Sequence, residues 1–413
     1  MESLFAHKNN NKNSELRLTK MRVLFVNVID DKIPIQMRYY PLSFGYLYSY
    51  CQKQGYTIDE SYTEKVDDKV LNDIKPQVVA LTSITGNYNL AIAYAKKIKK
   101  HSPNIKVLIG GTHISAVPQS LSPDMDVGVI GEGEQTFLEL VQNDFEASSN
   151  LKGIVYWEDG VFNKTADRSL IEPLDSIPHP KRTIAGVEQR DAYIFTSRGC
   201  AYKCIFCSST RFWKKVRFHS PEYVAEEISQ IKSLGATHVN IYDDTFILDL
   251  NRVRQIKDLV KDLGLSYTVA VRANLVTQEV AALLKEMNVK NVGIGFESNS
   301  ERILKYLQKG NTPEDNQRAV DIIRKYNLHL NGSFIKGVPT ETKEDLKKTN
   351  AFIRKNKIPY DMYRLMRFPN TPLYEGDENW DKCKVHYCIP KARRIRRTMS
   401  AAKSLVYNTL NIS

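Results

Sequence analysis

The chain has 413 residues, with 59 Lys plus Arg against 47 Asp plus Glu, a formal net charge of +12, 42% apolar residues and 26% charged ones. This composition excludes collagen-like, mucin-like and wholly disordered chains, and the length suits two domains or more with cores that need no disulfide staples. No run of about 18 apolar residues occurs, which excludes a transmembrane helix, and the polar first 20 residues lack the apolar core of a signal peptide, so a cytoplasmic protein is expected.

Residues 1–20 are expected as a flexible leader. An alternating series then fills 21–147. Apolar strand-like runs occupy 22–28 (RVLFVNV), 78–82, 106–109 and 127–130, and helix-like runs occupy 41–55, 90–100 and 134–141. Strands alternating with helices specify a parallel sheet with helices on its faces. Residues 148–190 break the rhythm with Pro173, Pro178 and Pro180 and a hairpin near 153–163; they are read as a connector. A second series fills 191–375. Its strands are expected at 193–196, 238–242, 266–271, 291–296, 329–335 and 360–366, and its helices at 222–234, 250–263, 278–287, 301–308, 313–326 and 343–355. Six βα units suit a partial barrel rather than a complete one of eight. The expected class is therefore α/β, a Rossmann-like N-terminal domain followed by a partial (β/α)6 barrel of the TIM type. Residues 376–413 remain as a helical tail.

Cys200, Cys204 and Cys207 form a Cys-x3-Cys-x2-Cys run directly after a strand, within Arg198-Gly199-Cys200-Ala201-Tyr202-Lys203-Cys204-Ile205-Phe206-Cys207. Three thiolates on one loop can ligate three irons of a 4Fe–4S cluster and leave the fourth open to a ligand. The rival readings are a zinc site with a distant fourth ligand and a chance cluster of buried cysteines; the spacing is unusual for zinc.

This spacing, with an aromatic residue before the last cysteine, resembles the radical S-adenosylmethionine (SAM) superfamily. The resemblance implies that the open iron chelates SAM and that one electron then cleaves it to methionine and a 5′-deoxyadenosyl radical. An electron donor such as flavodoxin or ferredoxin is implied too. The likeness continues downstream. Asp243 and Asp244 stand at the end of the second barrel strand, where the family holds the methionine amine. Arg272 and Asn274 stand where it reaches ribose and carboxylate, and Glu297 lies in a similar Gly-x-Glu-Ser strand end. Lys309-Gly310 and the segment from Lys336 to Glu341 are also family-like.

Two glycine turns end successive strands of the first series, Gly110-Gly111-Thr112-His113 and Gly131-Glu132-Gly133-Glu134. Such turns leave backbone N–H groups facing a crevice. With Tyr40-Pro41-Leu42-Ser43-Phe44-Gly45 they resemble the cobalamin-binding domain that precedes the barrel in a large branch of the superfamily. Gly110, Gly111, His113, Gly131 and Glu132 are the implied cofactor contacts. None of the eight histidines follows an Asp by two residues, so the Asp-x-His-x-x-Gly motif that supplies a cobalt ligand in mutases is missing. For His113, local hydrogen bonding is the alternative to a cofactor contact.

In the tail, Cys383 and Cys388 are open to readings as a thiol pair, a metal site or ordinary cysteines. The basic run from Lys391 to Arg397 opens a helix that either meets an anionic membrane surface or acidic partner, or packs on the barrel. No RNA-binding module is recognisable and the basic residues are otherwise dispersed, so a nucleic-acid partner is not expected. The family likeness implies methylation of an unactivated carbon in a small-molecule natural product, lipid or peptide. Its alternatives are a radical cyclisation, rearrangement or oxidation without methyl transfer and, from another class, an iron–sulfur sensor.

Overall fold

The computed structural model describes residues 17–31, 41–182, 191–376 and 379–380. Cys383, Cys388 and the basic run lie outside the described residues.

The first unit runs β1 (Arg17–Asn27), α1 (Leu42–Lys53), β2 (Tyr56–Thr63), α2 (Asp68–Ile74), β3 (Val78–Thr82), α3 (Tyr88–His101), β4 (Lys106–Gly110), α4 (Thr112–Ala116), β5 (Val127–Val129) and α5 (Glu134–Gln142). A hairpin, β6 (Ile154–Glu158) and β7 (Val161–Lys164), follows. Together they form one sheet of order β2-β1-β3-β4-β5-β6-β7, parallel as far as β5 and antiparallel from there. The expected connector thus opens with a hairpin hydrogen-bonded to the edge of this sheet.

Successive residues of β1 face opposite layers. Val23 and Phe25 pack with Phe44 of α1 and Phe137 and Leu140 of α5, whereas Leu24 and Val26 pack with Leu71 of α2 and Ala91, Ala95 and Ile98 of α3. A sheet buried on both faces selects the continuous apolar strands seen in the sequence. Cys51 lies inside this core and burial pushes its thiol up to about 12.

The second unit runs β8 (Asp191–Ile194), β9 (Ser197–Arg198), α6 (Ser209–Trp213), β10 (Arg217–Phe218), α7 (Pro221–Ser233), β11 (His238–Ile241), α8 (Leu250–Val260), β12 (Ser266–Val271), α9 (Gln278–Glu286), β13 (Val289–Glu297), α10 (Glu301–Tyr306), α11 (Pro313–Lys325), β14 (His329–Lys336), α12 (Lys343–Lys355) and β15 (Tyr360–Arg364). Six parallel strands pair in chain order, β8-β11-β12-β13-β14-β15, and the two end strands do not pair with each other. The arc stays open, the partial barrel expected from six units.

The outer face of the arc is apolar. Val239, Ile241, Val269, Val292, Ile294 and Phe334 pack under the helices with Val224, Ile228, Val253 and Ile256. Alternate positions facing the other way, such as Asn240, Thr268, Ala270 and Gly293, are polar or small and only half-buried. Local chemistry starts the helices. Ser220, Asp249, Thr277, Thr312 and Thr342 each accept a hydrogen bond from a backbone N–H of the first turn. These caps satisfy donors that the helix itself leaves unpaired. No described helix is long and apolar enough to cross a membrane.

Candidate functional site: two cofactor loops on one cavity

The cysteine loop is clamped at its ends. Strands β9 and β10 pair antiparallel, with Arg198 opposite Arg217, and so close residues 199–216 into a loop. Gly199 has φ +101, and a Cβ there would run into the carbonyl of Lys215, so the turn into Cys200 requires glycine. The loop's far side is anchored to the barrel. The Ile205 N–H donates to the Leu307 carbonyl at 3.1 Å, and Phe206 packs against Ile303, Leu307, Ile335 and Val338. This packing explains the aromatic residue before the last cysteine.

Cys204 is buried and Cys200 and Cys207 are half-buried, all three as free thiols. The Arg272 guanidinium lies 3.5 Å from the Cys204 sulfur, and burial pushes the Cys207 thiol up to about 11. Among the described residues no three His, Cys, Asp or Glu side chains converge where one ion could sit, as zinc would need. An iron–sulfur cluster asks for less convergence, because each thiolate takes its own iron. The donor set fits the cluster.

The strand ends around this loop hold the other expected residues, in unequal roles. Asp243 is buried. Its carboxylate accepts from the Thr196 N–H at 2.6 Å, the Thr196 hydroxyl at 2.5 Å, and the Ser197 N–H and hydroxyl at 3.2 and 2.8 Å. With four donors already on it, Asp243 fastens β11 to the strand entering the cysteine loop and has no free face for an ammonium. Asp244 accepts from the Ser209 hydroxyl and lines the open cavity described below. Burial raises the carboxyl pKa of both.

Arg272 lies 3.5 Å over the Tyr202 ring and donates to the Lys309 carbonyl, while its Nε is buried without a partner. Asn274 likewise has a buried, unpartnered Oδ1. Glu297, at φ +62, is buried with one oxygen 2.8 Å from Lys309 Nζ. A Cβ on Gly295 would come within 2.6 Å of that carboxylate, so the glycine makes room for it. Unsatisfied buried polar atoms are rare in native proteins, and the one on Arg272 belongs to a side chain 3.5 Å from the Cys204 sulfur, where a polar ligand would satisfy it. That arrangement fits SAM.

The first sheet has the order 2-1-3-4-5 in its parallel part, so connections reverse direction between β1 and β3. Ligands bind at such a switch point, beyond the C-terminal strand ends. A cavity of about 500 Å³ opens there. Gly110, Gly111, Gly131 and Gly133 line one side; Ser197, Arg198, Gly199, Phe212, Trp213 and Asp244 line the other. Gly111 has φ +106, and a Cβ on it would strike the Ser83 carbonyl. A wide apolar cavity with glycine edges fits a bulky cofactor.

Two expected contacts in this crevice need correction. His113 is not in the wall. It is fully buried, with Nδ1 3.2 Å from the Thr85 hydroxyl and Nε2 3.1 Å from the Ser120 hydroxyl, between the rings of Tyr88 and Trp380. Burial lowers its pKa to about 4. The local alternative holds for it, and no histidine is among the described lining residues. Glu132 does reach the cavity, but its carboxylate is committed to Arg198, Arg217 and the Ile171 N–H. Sequence reasoning missed this pairing, the Tyr202 and Lys309 supports of Arg272, and the Phe212–Trp213 wall. Each is a long-range contact with no signal in local spacing.

Comparison with known proteins points to the same family. Residues 194–353 match the radical SAM superfamily and residues 33–141 match the B12 binding domain. The chain is 34% identical over 359 residues to an uncharacterized methyltransferase of Pyrococcus horikoshii, spanning 81% of this chain and 78% of that one. It is 28% identical over 368 residues to the anaerobic magnesium-protoporphyrin IX monomethyl ester cyclase of Rubrivivax gelatinosus, spanning 81% and 66%. Its fold superposes with a TM-score of 0.70, at 18% identity, on the radical SAM methyltransferase TsrM of Kitasatospora setae, covering 85% of this chain and 74% of that one. The chain belongs to the radical SAM superfamily, in the branch that carries a B12-binding domain ahead of the barrel and uses a 4Fe–4S cluster, SAM and cobalamin.

Proposed function

We propose that the protein is a cobalamin-dependent radical SAM methyltransferase acting on an unactivated carbon of a small-molecule, lipid or peptide substrate. The observation that carries this reading is the single cavity, walled on one side by the glycine turns of the first sheet and on the other by the base of the cysteine loop. An unactivated carbon offers no nucleophile for direct methyl transfer, so two reactive centres must address one substrate. When bound, the cluster with SAM supplies a hydrogen-abstracting radical and cobalamin supplies the methyl group.

The residues have distinct tasks. Cys200, Cys204 and Cys207 hold three irons. Asp244 accepts the SAM ammonium. Arg272 is held flat by Tyr202 and Lys309 and donates to the carboxylate. Asn274 and Glu297 accept hydroxyl hydrogen bonds. The glycine turns at Gly110, Gly111 and Gly131 bring backbone close to the corrin, and Phe212 and Trp213 keep water from the shared space. Free thiols and a reducible cluster suit a reducing cytosol, with a flavodoxin- or ferredoxin-type protein as electron donor.

A second reading, radical ring closure or oxidation without methyl transfer, draws support from the likeness to the cyclase. Anaerobic turnover with methyl-deuterated SAM separates the two. Methylation puts the label in the product. Accumulation of 5′-deoxyadenosine with an unlabelled product would overturn methyl transfer and leave the second reading.

A further inference from the structure

Between the two cofactor loops lies a closed quartet of charges. Glu132 lies in the turn that follows β5, and Glu134 opens α5. Arg198 stands two residues before Cys200, and Arg217 is its partner across β9 and β10. Arg198 donates to Glu132 at 2.5 Å and to Glu134 at 2.6 Å, while Arg217 reaches the two Glu132 oxygens at 2.8 and 3.0 Å. All four side chains are 8% exposed or less. The Ile171 N–H also donates to Glu132 at 2.8 Å, and the Ile171 carbonyl accepts from Arg217 at the same distance. The Arg198 guanidinium lies 5.4 Å from the ring centroids of both Tyr46, on the first unit, and Trp213, on the second.

Two features separate this quartet from ordinary packing. Buried ion pairs are weak contributors to stability compared with apolar residues of the same volume, but they demand one geometry, since any shift strands a charge. Each arginine also engages its partners through its fork, which fixes orientation as well as distance. The residues so fixed are the turn containing Gly131 and Gly133 and the strand that leads into Gly199 and Cys200.

We propose that this quartet is the positioning device that sets the cobalamin turn against the cluster loop, so that a change at Glu132 is felt at the iron–sulfur cluster although no cysteine touches it. The proposal rests on the cofactor assignment above. Its consequence is reciprocal. Loosening the quartet from either side weakens cobalamin binding and alters the cluster environment together.

The test uses the full chain, reconstituted anaerobically with iron and sulfide and titrated with hydroxocobalamin. Glu132→Gln keeps the shape and removes the charge. It is expected to weaken hydroxocobalamin binding about tenfold, as loss of a supporting contact behind a cofactor ligand shell does, and to shift the electron-paramagnetic-resonance g-values and midpoint potential of the cluster. Arg198→Lys keeps the charge but loses the fork and is expected to do the same. The double variant is expected to weaken binding no more than either single one. Glu134→Gln removes only one bond and gives the same shifts in smaller measure should Glu132→Gln fold poorly. Glu139→Gln breaks the Arg168 pair on α5, away from the cysteine loop, and is expected to leave the cluster signal unchanged. A wild type that takes up neither iron nor hydroxocobalamin overturns the cofactor reading itself. A wild type that takes up both, with folded Glu132 and Glu134 variants showing an unchanged cluster signal or additive losses in the double variant, overturns the quartet alone.

Discussion

The cysteine loop and the glycine turns face one cavity but are built from different parts of the chain's chemistry. On the cysteine loop the side chains are the site. Cys200, Cys204 and Cys207 present three free thiols, the proposed cluster ligands, and Gly199 and Phe206 shape the loop that carries them. At the glycine turns, Gly110, Gly111 and Gly131 offer only backbone to the wall, beside apolar side chains such as Leu42, Phe44 and Phe137. A site made of side chains announces its chemistry through residue type and spacing. A site made of backbone announces only that something comes close. The difference explains why the proposed cluster ligands can be named residue by residue and the proposed cobalamin side only as a surface.

The strongest way to break the comparison is at the cysteines. Replacing Cys200, Cys204 and Cys207 together by Ala is expected to abolish iron uptake and SAM cleavage, as measured by iron and sulfide content and by 5′-deoxyadenosine release. Hydroxocobalamin binding should survive, reduced but measurable, because the glycine turns that line its side of the cavity belong to the first sheet. Retention of the cluster in the triple variant would sink the ligand assignment.

The paired aspartates sharpen it further. Asp244→Asn removes a charge from the cavity wall and is expected to weaken SAM binding by about ten- to a hundredfold, the range for a hydrogen bond to a charged group. Asp243→Asn puts an amide N–H₂ where four donors converge. It should instead destabilise the fold by about 3 kcal/mol and leave the SAM affinity of the folded protein near wild type. Thermal melting beside equilibrium SAM binding separates them, and a reversal of the two outcomes would exchange their roles.

On the backbone side, Gly111→Ala is expected to destabilise the first unit by about 1–3 kcal/mol, since it strains a residue at positive φ and pushes Cβ onto the Ser83 carbonyl. Gly131→Ala also sits at positive φ but meets no atom. It should cost only about 1 kcal/mol. Denaturant titration of both variants checks the order, and equal losses would show that strain rather than close approach sets the wall.

Much of the fold was legible because its elements carry one-sided or two-sided apolar patterns. The expected bounds of β3, β12 and α12 coincide with those found. Strand β2 was not foreseen, because Glu60 interrupts the alternation of Tyr56, Ile58 and Tyr62 and only Ile58 of it is buried. It is an edge strand held by backbone pairing to β1. The short helices α2 and α4 were missed for a related reason, having too few residues to show a period. At the site, residue types readable in one stretch were found, and supports arriving from elsewhere were not. Arg198 meets Glu132 across 66 positions and Arg272 meets Lys309 across 37.

The one histidine that sequence left undecided is tested by pH. His113 is neutral in the folded chain, since burial lowers its pKa from 6.5 to about 4. Its neighbours, Thr85, Ser120, Tyr88 and Trp380, offer no charge to oppose that. Below pH 6.5 the unfolded chain takes up a proton at this residue that the folded chain refuses until about pH 4. Stability is therefore full above pH 6.5 and falls as pH drops through this window, by about 3 kcal/mol from this residue. His219, also lowered by burial, to about 3, adds to the fall and is unaffected by a change at residue 113. His113→Phe keeps the ring packing and gives up both hydroxyl contacts. It should be less stable than wild type at pH 7 by about 1–3 kcal/mol, yet lose less stability on going to pH 4.5. Denaturant midpoints at the two pH values measure both. In the same variant the spectrum of bound cobalamin should not change, because the ring lies outside the cavity wall. Parallel pH slopes would remove the buried neutral state, and a lost nitrogen hyperfine splitting on cobalt would make His113 a ligand after all.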